Sequence, residues 1–425
     1  MTDKNTTDRD CCDDPHIGNA LTLSDALARI RATLQPVEGS ESVALADALD
    51  RILDEDIVAS VDVPGHTNSA MDGYAVRADD LPASETGQCS LALIGTAWAG
   101  RGFDGNVSAG ECVRIMTGAP LPAGADTVVM QEHVELDGEQ VIIGQGNRPG
   151  QHVRKAGEDI ARGDIALAAG VVLKPAQLGV LASIGCSEFL VRRRTRVAFF
   201  STGDELRPVG SQLEKGQIHD SNRHTIRGML QRLSVDIVDL GIVRDRREDI
   251  EQAFHDAANK ADAIITTGGV SVGDADFVTE ILEKTGEVNF WKVAIKPGRP
   301  LAYGRVSGTP FFGLPGHPVS VMATFYQIVQ PMLEVLSGVE QAAPSVLVDA
   351  VCRSTLRKKP GRMEVQRGVL ELGDDGCYIV RSTGRQGSGV LSSMIEANCF
   401  IVLPLEQATT HPGDVVKVQP FRCLV

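Results

Sequence analysis

The sequence predicts a multidomain α/β plus β fold: a central doubly wound, mainly parallel α/β domain, an inserted β domain, a small mixed scaffold domain and a C-terminal β barrel. Three observations point there. At 425 residues the chain exceeds what one hydrophobic core organises. Through residues 197–336 apolar strand-like runs alternate with helical patterns, the rhythm of a parallel sheet covered on both faces. At about 61–150 and 342–425, short β-like runs separated by turn residues take over.

In chain order, residues 1–16 are polar and without periodicity, and are expected to form a disordered tail. Cys11, Cys12, Asp13, Asp14 and His16 could gather a metal, but no pattern holds them in place. Ser24 can cap a helix with Leu27, Ile30 and Leu34 on one face, and residues 44–53 offer a second short helical pattern. With a strand at 171–173 and a helix at 175–184 they make a discontinuous scaffold domain, 17–60 and 151–191. Runs at 91–94, 127–131 and 140–143 between glycine-rich turns make the inserted domain, 61–150. The α/β domain, 192–340, reads as strand 197–200, helix 223–233, strand 237–243, helix 247–258 and strand 263–267. It closes with a strand, a loop and a buried helix across 306–333. Strands near 362–369, 377–381, 399–403 and 415–418 fill the C-terminal domain, 341–425.

Composition narrows the function. Lys+Arg total 41 against 56 Asp+Glu, a net charge of -15, so no excess of cations exists to displace the counterions of a nucleic acid. The cluster Arg192, Arg193, Arg194 and Arg196 reads as a solvated lead-in to the strand at 197. Nine cysteines without a CxxC pair give neither a zinc site nor a disulfide framework, which fits a reducing cytoplasm. No apolar segment follows a basic start, which argues against secretion. The longest uncharged stretch, 306–333, is broken by glycine, proline and two glutamines, so no membrane span is expected.

Ligands of such α/β folds collect beyond the carboxyl ends of the strands. There the chain carries Ser201-Thr202-Gly203-Asp204-Glu205, Arg244-Asp245, Thr267-Gly268-Gly269 and Gly313-Leu314-Pro315-Gly316-His317-Pro318. The most informative segment is IITTGGVSVGDADF, residues 264–277. Gly268 and Gly269 let backbone N–H groups approach an oxyanion. Asp274 and Asp276 follow at the start of a helical pattern, where a carboxylate can hold a divalent cation that bridges phosphates. A helix cap at Asp274 after a tight glycine turn is the competing reading. Glu205, Asp245, Asp274 and Asp276 would repel one another in one crevice unless a cation neutralised them, which points to magnesium on a phosphorylated ligand. Lys292 and Lys296, with Arg299 behind them, supply cations for bound oxyanions, unless they simply flank an apolar strand at the surface. A GxSxG elbow and an HExxH helix are both missing, so positioning and electrostatics are expected to carry the reaction.

Seven segments in order then carry a family resemblance: 68–76 (NSAMDGYAV), 114–119 (RIMTGA), 156–160 (AGEDI), 201–206 (STGDEL), the 264–277 loop, 296–300 (KPGRP) and 313–318 (GLPGHP). From about residue 20 to 425 the chain resembles the molybdopterin molybdenumtransferases of the MoeA and gephyrin E-domain family. The resemblance implies a molybdopterin-binding α/β fold, four domains and an elongated homodimer. It implies an enzyme that takes adenylylated molybdopterin and molybdate and, with Mg2+, releases AMP and molybdenum cofactor. Asp72, Glu205 and Asp276 are implied as catalytic, with Asp72 and Thr117 acting across the dimer interface, and Asp245 and Asp276 as acids at the magnesium. Thr117, Asp159, Gly268, Gly269, Ser271, Lys292, Lys296, Pro297, Ser320, Arg367 and Ser388 are implied in substrate binding, with Lys296, Arg367 and Ser388 compensating the charge of molybdate. Implied partners are a molybdopterin adenylyltransferase as donor, and molybdoenzymes or cofactor-carrier proteins as acceptors. The chain departs from the family pattern at His317, where asparagine is usual, and at Arg299, where lysine is usual. A histidine there would make ligand binding pH-dependent.

Alternatives stay open on the residues alone. Met71-Asp72-Gly73-Tyr74 also reads as an ordinary β-turn. A nucleotide pyrophosphohydrolase of the competence-damage type shares the TGG loop and acid pattern, but lacks the 68–76 segment and the inserted β domain. A non-catalytic dimeric scaffold, the use animal gephyrin makes of its dimer, is opposed by the want of a long linker or a second catalytic domain.

Overall fold

The structure, a computed structural model, describes residues 20–82, 87–268, 278, 280–281, 286–298, 300–339 and 346–421. The chain divides into two compact units, Met1–Glu41 with Arg192–Val425, and Ser42–Val191.

The larger unit is built on a six-stranded sheet of β1 (Arg196–Thr202), β2 (Asp236–Val243), β3 (Ala263–Thr267), β4 (Gly286–Lys292), β5 (Pro300–Val306) and β6 (Thr309–Leu314), in the order β2-β1-β3-β6-β5-β4. β2, β1, β3 and β6 are parallel, and β5 and β4 add antiparallel. Apolar residues at successive positions bury both faces. Val197, Phe199, Ala263 and Ile265 meet Ile226, Met229 and Leu230 of helix α2 (Ser221–Gln231) on one side. Ala198, Phe200 and Ile264 meet Ile250, Phe254 and Ala257 of α3 (Arg247–Lys260) on the other. This is the doubly wound arrangement that the alternating pattern predicts.

The helix Pro318–Leu336 is long and apolar enough to cross a membrane by length and composition, but it is mostly buried within the protein. A π-helical turn at Phe325–Val329 precedes Pro331, a residue that has no N–H to give to the helical ladder. Buried Gln327 in that turn donates to Gln419 at 2.6 Å.

Two details of helix α1 (Leu23–Arg31) differ from expectation. Its cap is Thr22 rather than Ser24: Thr22 Oγ1 accepts the Asp25 N–H at 3.1 Å, while the Ser24 hydroxyl pairs with Thr22 at 2.9 Å. Its apolar face also leaves the expected scaffold domain. Ala26, Ile30 and Leu34 are buried in the core that holds Met332, Leu333 and Leu336, so residues 20–41 group with the sheet.

At the C-terminus, Val348–Cys352, Met363–Leu372, Tyr378–Ser382, Cys399–Leu403 and Val415–Pro420 close into a barrel, because Met363–Leu372 pairs with both Tyr378–Ser382 and Cys399–Leu403. Ile295–Lys296 pairs in parallel with Met363–Glu364 and so joins the barrel to the loop after β4.

The smaller unit holds a six-stranded β sheet, ordered Thr127–Met130, Gly73–Val76, Glu111–Ile115, Cys89–Ala97, Gln140–Ile143 and Val134–Asp137. A separate core of Leu53, Leu173, Leu181, Phe189 and Val191 makes the scaffold. Residues 44–53 do not form the expected helix beyond a 3₁₀ turn at Leu45–Asp47. Asp50 takes φ 62°, and Ile52 and Leu53 bridge to Val172 and Val191, so long-range pairing overrides the local apolar spacing. For the same reason 171–173 contributes a bridge rather than a strand.

Candidate functional site

In the larger unit, turns from three parallel strands meet at their carboxyl edge. Gly268 follows β3 with φ 86°, and a Cβ there would collide with the Thr202 carbonyl at the end of β1. A Cβ on Gly316, in the turn after β6, would lie 3.9 Å from the Gly268 Cα. Asn222 in the first turn of α2 reaches both: its Nδ2 donates to Thr267 Oγ1 at 3.0 Å and to the Gly316 carbonyl at 2.7 Å.

Acids stand beside these turns. Glu205 places its carboxylate against Gly203, within 2.9 Å of where a Cβ would be. Asp204 Oδ1 accepts the Asp245 N–H at 3.4 Å. Burial, then the charges of Asp204 and Glu205, raise the pKa of Asp245 above its ordinary value. A bulge in β2 precedes Asp245: Phe199 pairs with Asp239 but Ser201 with Ile242, which leaves one extra residue in the strand. Gly241 sits there with φ 81°, and Asp239 fixes it by accepting the Gly241 N–H at 3.0 Å and Arg223 Nε at 2.7 Å. Burial works to raise the pKa of Asp239, but those bonds and the Arg223 and Arg227 charges hold it below the ordinary value.

A second group surrounds the start of the helix Pro318–Leu336. Gly298, after Lys296 and buried Pro297, has φ 103° and backs onto Thr324 and the Ser320 carbonyl. Ser320 is buried on that helix, and the Ser388 carbonyl accepts the Val319 N–H at 3.0 Å, a donor the helix itself leaves unpaired. Lys292 is exposed, and its carbonyl takes the Leu21 N–H at 2.9 Å. Arg367, expected to compensate the charge of molybdate, is held by the protein's own carbonyls. It is fully buried and donates to Gln386 O at 3.1 Å, Arg385 O at 3.1 Å, Gly387 O at 3.0 Å and Ser393 Oγ at 3.0 Å. Those bonds shape the loop that carries Ser388, because three carbonyls converging on one guanidinium fix the backbone.

In the smaller unit, exposed Asp72 accepts two bonds from Thr117, the N–H at 2.7 Å and the hydroxyl at 2.8 Å. The Thr117 N–H first, then its hydroxyl, hold the Asp72 pKa below the ordinary value; slight desolvation opposes them and Arg114 assists. The β-turn reading of Met71-Asp72-Gly73-Tyr74 does not hold: the chain bends at 70–72 and is already strand from Gly73, where pairing with the neighbouring strands claims the backbone. Ser69 Oγ donates to the Met71 carbonyl at 2.6 Å, and Gly73 lies so close to the Val129 carbonyl that a Cβ would not fit. Asp159 is exposed, and its N–H donates to the Val63 carbonyl at 3.1 Å.

Gly269, Ser271, Asp274, Asp276 and Arg299 lie outside the described residues, as does the 1–19 segment with Cys11, Cys12 and His16. Among the described residues no three His, Cys, Asp or Glu side chains gather as a ready metal site. Asp204, Glu205 and Asp245 are nonetheless hard oxygen donors whose mutual repulsion suits a divalent cation. Sequence reasoning missed Asn222, Arg223 and Asp239. The run Asp220-Ser221-Asn222-Arg223 held the signal: Asp220 caps α2 by accepting the Arg223 N–H at 3.0 Å, which aims Asn222 at the turns and Arg223 at Asp239.

Three family models match the chain in order: MoeA N-terminal region (domain I and II) at 21–185, Probable molybdopterin binding domain at 198–335, and MoeA C-terminal region (domain IV) at 349–421. Over 95% of its length the chain is 43% identical to a molybdopterin molybdenumtransferase from Haemophilus influenzae, 100% of which is covered. A molybdopterin molybdenumtransferase from Nostoc sp. is 35% identical, over 91% of this chain and 90% of that one. A crystal structure of a molybdopterin biosynthesis MoeA protein from Pyrococcus horikoshii OT3 matches with TM-score 0.81 and 28% identity, covering 95% of this chain and 100% of that one.

Proposed function

We propose a specific reaction for this chain, which belongs to the molybdopterin molybdenumtransferase family and is a transferase of molybdenum cofactor biosynthesis. It receives adenylylated molybdopterin, inserts molybdenum from molybdate at the dithiolene sulfurs, and releases AMP and molybdenum cofactor. The observation that carries this reading is the meeting of Gly268, Glu205 and Asp245 at the carboxyl edge of the parallel strands. A backbone turn without a Cβ suits an oxyanion, and acids beside it suit the cation that accompanies a pyrophosphate. Asp245 and Asp276 would hold Mg2+, whose charge supports departure of the adenylate.

Lys296, with Pro297, Ser320 and Ser388, forms the molybdate end, and Arg367 serves it by setting the 385–388 loop. Gly269, Ser271 and Lys292 complete the anion contacts, and Asp159 lies on the substrate's path. The chain acts as a homodimer in the cytoplasm, where the Asp72–Thr117 pair of one protomer completes the crevice of the other. A molybdopterin adenylyltransferase supplies the substrate, and molybdoenzymes or carrier proteins take the product.

Purified protein incubated with adenylylated molybdopterin, Mg2+ and molybdate tests the reading. AMP and active cofactor should appear together, and only with molybdate. AMP release indifferent to molybdate would favour a pyrophosphohydrolase, and release of neither by folded protein would favour a scaffold.

A further inference from the structure

Asn222 is bonded to both turns that meet at the crevice, the end of β3 through Thr267 and the turn after β6 through Gly316. Its orientation is settled by chemistry. The Gly316 carbonyl can only accept, so the atom 2.7 Å away must be the amide nitrogen. Asn222 Oδ1 is consequently turned away, and it is buried with no hydrogen-bond partner among the described residues. Ser201, paired with Thr267 across β1 and β3 and on the same sheet face, likewise buries its hydroxyl with no partner among the described residues. Buried amides normally satisfy both ends. This one keeps two donor bonds to separate turns and forgoes its acceptor.

Thr267 Oγ1 also approaches the Pro315 carbonyl at 3.4 Å, so the amide, the hydroxyl and two carbonyls form a cross-link between strand ends that are neighbours in the sheet. Gly268 lies immediately beyond this cross-link and Gly316 within it, and a Cβ on Gly316 would sit in ordinary contact with the Gly268 Cα at 3.9 Å, so the two turns are packed side by side.

We propose that Asn222 is a positioning residue that makes the Thr267-Gly268 and Pro315-Gly316 turns move as one unit, fixing the spacing between the oxyanion-facing backbone and the start of the helix Pro318–Leu336. It touches neither reacting atoms nor metal. Its effect on turnover rests on the reaction proposed above, whereas its effect on the turns does not.

Backbone hydrogen exchange of the full-length, ligand-free protein tests this directly. Asn222→Asp keeps shape and volume but presents no donor to Gly316 as a carboxylate, and Asn222→Leu removes all polarity. Both should speed exchange at least about tenfold, or ~1.4 kcal/mol of opening free energy, in 263–268 and 309–316, with 196–200 unchanged. Wild-type rates in either segment of Asn222→Asp would overturn the proposal, since a space-filling role is preserved in that variant. Should both variants exchange throughout, Thr267→Val decides. It cuts the Asn222–Thr267 bond together with the long Thr267–Pro315 contact and leaves the Gly316 bond intact; coupled turns require faster exchange at 309–316 as well as at 263–268, and unchanged exchange at 309–316 refutes the coupling. In the AMP-release assay Asn222→Asp should lose kcat/KM as severely as Asn222→Leu; an Asn222→Asp enzyme with wild-type kcat/KM would also count against it.

Discussion

Asp72 and Thr117, 45 residues apart, are joined through a single carboxylate oxygen that accepts both the backbone N–H and the hydroxyl of the threonine. The other oxygen is left to face solvent or a ligand. Because this arrangement depresses the Asp72 pKa, its contribution to stability is present above the unfolded carboxylate pKa and is lost as pH falls through the lower folded value. It is therefore intact at neutral pH and disappears only below the ordinary range near 4. Thr117→Val keeps the N–H and removes the hydroxyl, so the Asp72 titration seen by carboxyl NMR should move upward yet stay below that range. An unmoved midpoint would deny the hydroxyl its part.

Asp245, after β2, has the opposite sign. Burial and the neighbouring Asp204 and Glu205 raise the Asp245 pKa, so stability present below the unfolded pKa is lost as pH rises through the folded one. Glu205→Gln relieves repulsion. Without divalent cations at neutral pH it should raise thermal stability slightly, by under about 1 kcal/mol because these groups are partly exposed. With Mg2+ the wild-type protein should gain more than the variant. Thermal unfolding with and without Mg2+ measures both, and an equal Mg2+ shift in the two proteins contradicts the assignment.

Gly268→Ala should cost about 1–3 kcal/mol in urea unfolding and abolish turnover, because φ 86° and the Thr202 carbonyl both exclude a Cβ. Full activity in this variant would show that the turn adapts.

Arg367→Ala removes the donors that hold the 385–387 carbonyls, and leaving buried carbonyls unpaired costs roughly 1–3 kcal/mol each. The expected phenotype is lower stability and lost turnover that excess molybdate does not restore. Recovery at high molybdate would return Arg367 to the role of a direct anion ligand.

His317 occupies the N-cap of the helix at Pro318 without a side-chain cap bond. Asparagine caps helices well, so His317→Asn should raise stability by about 0.5–1 kcal/mol. Chemical denaturation checks it, and an unchanged midpoint would mean that the backbone there forbids the cap.

The sheet of the larger unit was legible because strands buried on both faces announce themselves as unbroken apolar runs, as 197–200 and 263–267 do. Glu205, Asp245 and Gly268 were legible because strand ends are where ligands collect. What escaped depended on distant partners. Residues 44–53 carry helical spacing, but Leu53 is claimed by Val191, far along the chain. That Arg367 is fully buried follows from barrel closure and no local pattern announces it, and Asn222 gains its part only once two strand ends converge on α2. Thr22 and Ser24 are both competent caps, and only the helix phase chooses between them.

The central claim is that Asp72 of one protomer and Glu205 of the other serve the same substrate. Mixed dimers of differently tagged Asp72→Asn and Glu205→Gln subunits, assayed for molybdate-dependent AMP release, test it most directly. Each parent dimer should be inactive, while two-fold symmetry leaves the mixed dimer one intact site and hence recovered activity. Mixed dimers as inactive as their parents would contradict a crevice shared between two copies of the chain.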